Sequence, residues 1–558
     1  MLPPPEIHGI YRTDARARAA YAEGAGIYRI IPQAVCLPAD VADLTRVVCW
    51  AADHQVSLIP RGAGSAMGGG NVGPGVLLDL TRMADPRLDI DAPNWRAVTS
   101  AAVTLASLNT ASSRHGLRLP PDPSSGRWAT LGGMVATNAA GARSVRYGSV
   151  RSWVEGLTMV TADGELLRLR RGQAPDPSAS AVRRFAQSAA PQIQAAASEI
   201  RARFPATRKN SSGYALDAYL SSGDLLDLVI GSEGTLGVVT EIEWRLDPIP
   251  SHRAAVRVAL RSLDLLSDAV EAMLTVQPSA IELLDRSFLD LVATDTVAGT
   301  GFRFPSVEAV LLVEVERDDA ESLRDTLETI TARVRPVAYS VDTAFSETAA
   351  ERLWAIRHAA SPILAALPQS RRSLQVIEDA CVPVARMGEY IRLVRQSASV
   401  RNIPVVMFGH AGDGHLHVNL LPDVHQPGWE PAVASLLDEV TSAVAALGGT
   451  TSGEHGDGRL RASSLSRMYG PEIVALFRRI KEAFDPRGVF NPGVILPDEH
   501  PPISRLKVGS GAASLPPDIE RGLREIEVSG GYARCKLELA GGVGSQESGV
   551  GHSSLGSA

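Results

Sequence analysis

The feature that most constrains this chain is a glycine-dense loop at residues 60–70, which separates two apolar stretches. Residues 56–59 and 76–80 have the length and composition of buried strands, and a capped helix is predicted over 40–54. The loop is not a Rossmann fingerprint, because Met67 takes the place of the third glycine, and it lacks the Gly-Lys-Ser/Thr of a P-loop. The many backbone N–H groups of such a loop can converge on an anion such as pyrophosphate. A flexible turn between two strands is the alternative.

The chain is long enough for two or three domains, because 558 residues exceed what a single core usually holds. Its formal charge of -7 suggests no general affinity for nucleic acid. The four cysteines show no C-x-x-C spacing, so we expect neither a disulfide framework nor a cysteine-ligated cluster. The first residues lack a basic region followed by an apolar run, and no stretch approaches the length of a membrane span. We therefore expect a cytoplasmic protein.

Three further segments rich in small residues follow, at 132–141, 147–149 and 231–240. With residues 60–65, and in this order, they resemble the FAD domain of the vanillyl-alcohol-oxidase (PCMH-type) flavoprotein superfamily. The resemblance covers residues 30–245 and implies a two-subdomain α+β domain. Some members attach the flavin to a histidine in the first loop; none is present here, so we expect non-covalent FAD. The implied cofactor-binding residues are Pro60, Arg61, Gly62, Ala63, Gly64, Ser65, Gly132, Gly133, Thr137, Asn138, Gly141, Gly148, Ser149, Glu233, Gly237 and Val238.

A cluster of histidines marks the second half of the chain, where the glycine loops stop near residue 248. His410, His415 and His417 surround a Gly-Asp-Gly turn, so three of the twelve histidines fall within eight residues. Side chains alternate along a strand, and His415, His417 and Asn419 should therefore share one face. Two or three imidazoles with a carboxylate suit a divalent metal such as Zn²⁺, with Mn²⁺ or Fe²⁺ as alternatives. A hairpin with solvent-exposed histidines is the competing interpretation.

Residues 409–419 and 452–458, with Asn-Pro-Gly at 491–493, resemble the C-terminal domain of FAD-linked D-2-hydroxyacid dehydrogenases. That group includes D-lactate dehydrogenases, D-2-hydroxyglutarate dehydrogenases and the flavin subunit of glycolate oxidase. The resemblance implies an α+β substrate domain with an antiparallel sheet, and oxidation of a D-2-hydroxy acid to the 2-oxo acid. The implied roles are metal ligation by His410, His417 and Glu454, base catalysis by His455, substrate contacts by Asn419 and Arg357, and a flavin-ring contact by Asn491.

The implied chemistry is physically coherent. An imidazole with a pKa of about 6.5 does not remove an alcohol proton unaided. A metal on the hydroxyl oxygen stabilises the alkoxide and brings proton removal within reach of His455. An arginine on the carboxylate fixes the α-hydrogen over the flavin. For Arg357, a surface arginine on an exposed helix is the alternative.

Three positions depart from the family pattern. His415 occupies a position where the family often has asparagine, and Val494 one where lysine is common. Residues 377–379 read Ile-Glu-Asp where many members have Lys-Tyr-Asp. The missing lysine weakens the case for a dicarboxylate, and Glu378 would repel a second carboxylate if it faced the pocket. A monocarboxylate such as D-lactate or glycolate is therefore the expected substrate.

Two other functions stay open at this point. An alkyl-dihydroxyacetone-phosphate synthase shares the superfamily without net redox chemistry, but it would need a phosphate and lipid site that no basic cluster clearly provides. The chain could also be an inactive FAD-binding subunit of a larger complex. His410, His417, Glu454 and His455 argue against an inactive scaffold, which would not need all four.

The sequence divides into a FAD-binding domain at 1–248, a substrate and metal domain at 249–497, and a partly disordered tail at 498–558. The tail contains one cysteine, Cys535, so it cannot build a four-cysteine iron–sulfur cluster alone. Electrons must then pass to oxygen, a quinone, a cytochrome or a separate iron–sulfur subunit. An acceptor at a membrane would place the protein peripherally there. A dimer or a hetero-complex is the expected assembly.

Overall fold

A four-stranded sheet carries the glycine-dense loop. The computed structural model of the protein describes residues 3–83, 86–294, 306–358, 363–364, 367–532 and 534–541. The strands of the first sheet are β1 (Ile10–Arg12), β2 (Ala34–Leu37), β3 (Leu58–Arg61) and β4 (Val76–Asp79). Their order is β1-β2-β4-β3, in which β4 runs parallel to both neighbours and β1 is antiparallel to β2. The glycine-dense loop therefore connects two adjacent parallel strands.

The helix Val41–His54 covers this sheet, as the sequence predicts. The Asp40 side chain caps it by accepting a hydrogen bond from the backbone of Asp43. Its apolar face is buried against the strands. The helix ends at Gln55, which adopts the left-handed conformation, and β3 begins two residues later than the predicted strand.

A five-stranded antiparallel sheet forms the second subdomain. Its strands are β5 (Leu88–Asp91), β6 (Arg96–Ser100), β8 (Val154–Val160), β9 (Leu166–Arg170) and β10 (Val238–Arg245), in the order β5-β6-β10-β8-β9. Two short strands, β7 (Leu117–Arg118) and β11 (Asp247–Pro248), pair separately. The other helices of this half are Ala15–Ala20, Leu105–Ser113, Leu131–Thr137, Ser144–Tyr147, Ser180–Ala195, Ala197–Arg203, Leu216–Ser222 and Leu225–Val229.

A seven-stranded antiparallel sheet dominates the second half. Its strands are β12 (His252–Leu260), β13 (Ala280–Asp285), β14 (Ala309–Arg317), β15 (Ser340–Ala344), β16 (Ala380–Cys381), β17 (Val405–His410) and β18 (His415–Leu420), in the order β15-β12-β14-β13-β17-β18-β16. The helices are Leu266–Leu274, Arg286–Thr294, Ala320–Val334, Glu347–His358, Met387–Val400, Trp429–Ala446, Gly458–Arg461, Leu465–Tyr469 and Pro471–Phe484. The predicted α+β class, with two FAD-binding subdomains and an antiparallel substrate domain, is confirmed.

The predicted helix starting at Pro471 is also confirmed, with its apolar residues buried. It packs in the core of the first half, where Phe484 contacts the ring of Phe185 at a centroid distance of 6.0 Å. The chain thus returns to the FAD-binding half before residue 497. The division at 248 and 497 stays a prediction.

The described residues of the expected tail, 498–532 and 534–541, fold against the first sheet. Its helices are Pro517–Ser529 and Leu537–Ala540. They share a buried apolar cluster with the helix Ala15–Ala20 and with residues of β2 and β4. The expected disordered end, residues 542–558, lies outside the described residues. In the part of the chain that the structure describes, no helix combines the length and apolar character needed to cross a membrane.

Candidate active site

A cavity of about 750 Å³ lies between the glycine-rich loops and the histidine-bearing strands. The predicted cofactor-binding residues that line it are Pro60, Arg61, Gly62, Ala63, Gly64, Ser65, Gly132, Gly133, Thr137, Glu233, Gly237 and Val238. The predicted catalytic and metal-binding residues that line it are Arg357, His417, Asn419, Glu454 and His455. Residues from both halves of the sequence thus share one cavity.

The loop after β3 carries buried polar atoms that need a partner. Arg61 is buried, and its Nη1 donates a 3.4 Å hydrogen bond to the Asn71 carbonyl. Arg61 Nη2 and Asn71 Oδ1 have no hydrogen-bond partner among the described residues. Gly64 adopts a φ of +81°, and a Cβ there would collide with the Arg61 guanidinium. An unsatisfied buried donor is costly, so this loop fits a ligand rich in acceptor oxygens, such as the pyrophosphate of FAD.

Five predicted cofactor-binding residues lie outside the cavity lining. They are Asn138, Gly141, Gly148, Ser149 and Asn491. Asn491 is fully buried, and its Nδ2 donates to the carbonyls of Gly70 at 2.8 Å and Glu233 at 2.9 Å. Asn138 ends the helix Leu131–Thr137 in the left-handed conformation. These contacts hold the loops that line the cavity, and direct contact of the five residues with FAD stays a prediction.

The hairpin of β17 and β18 brings the histidines together. Phe408 pairs with His417 across the two strands, and Gly414 turns the chain at a φ of +73°. His410 and His415 are buried. The competing interpretation, a hairpin with solvent-exposed histidines, is therefore wrong: strand pairing under a covering loop removes the rings from solvent.

His410, His417 and Glu454 form a triangle of possible metal ligands. His410 Nε2 lies 3.3 Å from His417 Nε2 and 3.3 Å from Glu454 Oε1, and the third side of the triangle measures 3.6 Å. Bonds of about 2.0–2.1 Å in a tetrahedral zinc site separate the ligand atoms by ~3.3 Å. The three donor atoms therefore fit one divalent cation, and two nitrogens with one oxygen suit Zn²⁺.

Neighbouring groups orient both imidazoles of this triangle. His410 Nδ1 bonds to Glu282 Oε1, and His417 Nδ1 bonds to the Glu378 carbonyl at 3.0 Å. A proton on Nδ1 leaves a lone pair on Nε2, the tautomer that ligates a metal. Lys209 Nζ donates to Glu454 Oε2 at 3.0 Å, which leaves Oε1 as the ligand atom.

His455 lies beside the triangle with Nε2 3.6 Å from Glu454 Oε1. Its ring stacks on His417, with an interplanar angle of 17° and centroids 5.5 Å apart. Its Nδ1 bonds to Glu378 Oε2 at 2.7 Å, and Arg461 donates to the other oxygen of Glu378 at 2.6 Å. Burial lowers the pKa of His455, but the carboxylates of Glu378, Asp379 and Glu454 together outweigh burial and raise it to about 10. Glu378 lines the cavity with its charge balanced by Arg461 and His455.

Arg357 reaches the same cavity from the helix Glu347–His358. Its Nε donates to Glu282 Oε2 at 2.8 Å, and its guanidinium carbon lies 4.5 Å from the ring centroid of Phe408. Its side chain is only 14% exposed, so the surface-arginine alternative is wrong. Burial raises the pKa of Glu282, but His410 and Arg357 outweigh burial and lower it to about 2. One carboxylate thus joins His410, a predicted metal ligand, to Arg357, the predicted substrate-binding arginine.

His415 lies behind the triangle. Its Nε2 bonds to Asp379 Oδ1 at 2.9 Å, and its Nδ1 has no partner among the described residues. One of its nitrogens lies within 4.8 Å of the donor atoms of His410, His417 and Glu454. Burial lowers its pKa to about 3, so this imidazole is neutral.

Three residues of the site are not predicted from the sequence, Lys209, Glu282 and Asp379, and neither is the orienting role of Glu378. Glu282 had a signal, because it stands in the otherwise apolar start of β13, where an unpaired charge would be costly. Lys209 had none, since it lies in a loop of mixed polar residues far from the histidines in sequence.

Known proteins share both halves of this architecture. Residues 32–170 match the family described as FAD binding domain, and residues 249–495 match FAD linked oxidases, C-terminal domain. D-lactate dehydrogenase from Archaeoglobus fulgidus is 31% identical over 83% of this chain and 91% of its own length. Glycolate oxidase subunit GlcD from Bacillus subtilis is 30% identical over 84% of this chain and 89% of its own.

Solved structures show the same fold. A 4-ethylphenol oxidase from Gulosibacter chungangensis superposes with a TM-score of 0.64 at 16% identity, covering 88% of this chain and 94% of its own. An alkyldihydroxyacetonephosphate synthase superposes with a TM-score of 0.58 at 17% identity, covering 86% and 83%. At such identities the likeness concerns the fold alone.

The fold and the cavity define a two-domain FAD-linked flavoprotein. The two family matches and the identity to its relatives show which flavoprotein family this is. The chain belongs to the family of FAD-linked D-2-hydroxyacid dehydrogenases.

Proposed function

We propose that this protein oxidises a small D-2-hydroxy acid to the 2-oxo acid, with non-covalent FAD as hydride acceptor and one divalent metal ion, Zn²⁺ being the best fit. The observation that carries the proposal is the donor triangle of His410, His417 and Glu454, which lies beside both Arg357 and His455 at the FAD cavity. When bound, the metal makes the substrate hydroxyl more acidic and FAD accepts the hydride.

The protein's own groups divide the remaining work. Arg357, held at Nε by Glu282, binds the substrate carboxylate through its guanidinium. His455 takes the hydroxyl proton at Nε2, because Glu378 occupies Nδ1. Were a divalent cation held by His410, His417 and Glu454, its charge would oppose the raised pKa of His455 and favour the neutral imidazole needed for proton removal. Asn419, whose Oδ1 accepts from Ser373 at 2.8 Å, contacts the substrate through its amide.

The expected substrate is a monocarboxylate such as D-lactate or glycolate. The position where many relatives have lysine is Ile377, which is buried and outside the cavity lining. Glu378 lines the cavity, but Arg461 and His455 pair its carboxylate, so the monocarboxylate assignment depends on the missing lysine. The electron acceptor is a separate quinone, cytochrome, iron–sulfur subunit or oxygen, and we expect a cytoplasmic protein that can associate with a membrane through such a partner.

The test is anaerobic flavin reduction with a panel of 2-hydroxy acids of both configurations. We expect D-monocarboxylates to bleach the flavin absorbance and the L-enantiomers to leave it unchanged; glycolate, which is achiral, serves as a size control. Failure of every D-2-hydroxy acid to reduce the flavin in protein loaded with FAD and Zn²⁺ would overturn the proposal. Reduction by D-2-hydroxyglutarate in preference to D-lactate would overturn only the monocarboxylate assignment.

A further inference from the structure

The C-terminal segment, residues 498–541, lies beyond the residues that either family model matches. It nevertheless lines the central cavity with Arg524, Glu527, Val528 and Tyr532. These four residues come from the helix Pro517–Ser529 and the turn that follows it. The segment is thus part of the cavity wall that also contains the glycine-rich loops and His417.

The segment is anchored to the first half of the chain by apolar packing and by ion pairs. Ile519 and Leu523 are buried in the cluster that contains Tyr21 of the N-terminal region. Glu520 accepts from Arg29 Nη2 at 2.7 Å. These contacts fix the position of the segment, because moving it away would expose its buried apolar face to water.

The segment also reaches the second half of the chain through Glu527. This carboxylate accepts from Arg372, which precedes Ser373, the residue that contacts Asn419. It also accepts from Lys507 Nζ at 2.8 Å and from Arg524. Burial raises the pKa of Glu527, but these cations outweigh burial and lower it to about 2. Glu527 therefore ties the segment to the second half, while Glu520 and the apolar cluster anchor it to the first half.

Tyr532 places an aromatic ring beside the FAD-binding loops. Its centroid lies 6.3 Å from that of Trp128, which is two residues before Thr130, the N-cap of the helix Leu131–Thr137. Trp128 lines the cavity together with Gly132 and Gly133 of that helix. Gly530 adopts a φ of +68°, and a Cβ there would collide with the Trp128 ring, so the turn is in close contact with this loop.

We propose that the C-terminal segment is a part of the FAD site: Tyr532 contacts bound FAD, and the Glu527 ion pairs hold the cavity closed so that FAD leaves slowly. The inference rests on the FAD-binding part of the proposed function and not on the substrate. Aromatic rings supply large contact areas to planar ligands, and a wall tied to both halves must move before a ligand of this size can leave.

The experiment measures FAD loss from the holoenzyme. Wild type, Tyr532→Ala and Glu527→Gln are diluted, and flavin released into an ultrafiltrate is measured over time. We expect release to be about tenfold faster in both variants. A tenfold change in a dissociation constant corresponds to about 1.4 kcal/mol. Tyr339→Ala is the control, since Tyr339 is an exposed tyrosine outside the cavity lining, and its release should match the wild type.

Thermal unfolding of the FAD-free proteins separates this effect from general destabilisation. We expect Tyr532→Phe, which keeps the ring, to retain both the wild-type unfolding temperature and slow release, and Tyr532→Ala to release FAD faster at temperatures well below its own unfolding transition. Wild-type release rates in both variants would overturn the proposal. So would a changed KM for the hydroxy acid at an unchanged FAD release rate, because that outcome assigns the wall to the substrate. The assay measures FAD loss even if no hydroxy acid reduces the flavin. Failure of this inference is therefore distinguishable from failure of the proposed function.

Discussion

Glu282 offers the sharpest test of the site, because one carboxylate holds both His410 and Arg357. In Glu282→Gln the side chain keeps its shape, but one of its two acceptor oxygens becomes an NH2 donor. Either His410 Nδ1 or Arg357 Nε then faces this new NH2 group and loses its hydrogen bond. A hydrogen bond to a charged group contributes about 1.5–3 kcal/mol, and losing a partner of this kind typically costs about 10–100-fold in metal affinity.

We therefore expect the Kd for Zn²⁺ to rise about 10–100-fold in Glu282→Gln, which corresponds to roughly 1.4–2.7 kcal/mol. The measurement is competition with a fluorescent chelator on protein that retains FAD. Glu243→Gln is the matched control: Glu243 lies on β10, pairs with Arg168 at 2.6 Å and is outside the cavity lining. A wild-type Kd in Glu282→Gln, combined with metal loss in His417→Ala, would refute the idea that Glu282 orients His410.

Further predictions test the metal, the cofactor, the substrate and the pH dependence. His417→Ala should lose bound metal and hydroxy-acid-driven reduction while keeping the flavin spectrum; normal reduction would contradict the metal role. Acid precipitation should release all flavin into the supernatant, and flavin retained in the pellet would contradict non-covalent binding. Arg357→Lys should raise KM by about tenfold, since a lysine cannot make the bidentate contact; an unchanged KM would remove Arg357 from the substrate site. Burial raises the pKa of Glu316, but Arg118, Arg143 and Tyr147 together outweigh burial and lower it to about 2. Its stabilisation is therefore complete above the unfolded-state pKa of about 4.3 and is lost as pH falls towards 2. The unfolding free energy of wild type should exceed that of Glu316→Gln by ~3 kcal/mol at pH 6, and denaturant titrations should show this difference shrinking below pH 4; a difference independent of pH would contradict this reasoning.

Much of the fold follows from local patterns. The helix Val41–His54 has its cap at Asp40 and its apolar face at helical spacing, and both features depend only on neighbours in sequence. The helix Pro471–Phe484 begins at its proline for the same reason. Strand alternation predicted one face for His415, His417 and Asn419; His417 and Asn419 line the cavity, whereas His415 is buried against Asp379.

The partners of the site residues depend instead on tertiary packing. The orientation of His410 comes from Glu282, which is 128 residues away, and Lys209 reaches Glu454 across 245 residues. Glu282 and His410 are cross-strand partners on β13 and β17, whereas Lys209 and Glu454 lie in separate loops. These pairs follow no sequence spacing, because strand order and loop packing decide which residues meet.

The sequence by itself determined the kinds of group that the site contains: glycine loops suited to an anion, and imidazoles with a carboxylate suited to a metal. Tertiary structure decided which of these groups face the cavity. Asn491 lies outside the cavity lining, where it bonds to the loop carbonyl of Gly70, and Tyr532 of the C-terminal segment lines the cavity. The physical reason is that local sequence sets backbone conformation over a few residues, whereas burial and charge pairing are satisfied only when distant segments meet.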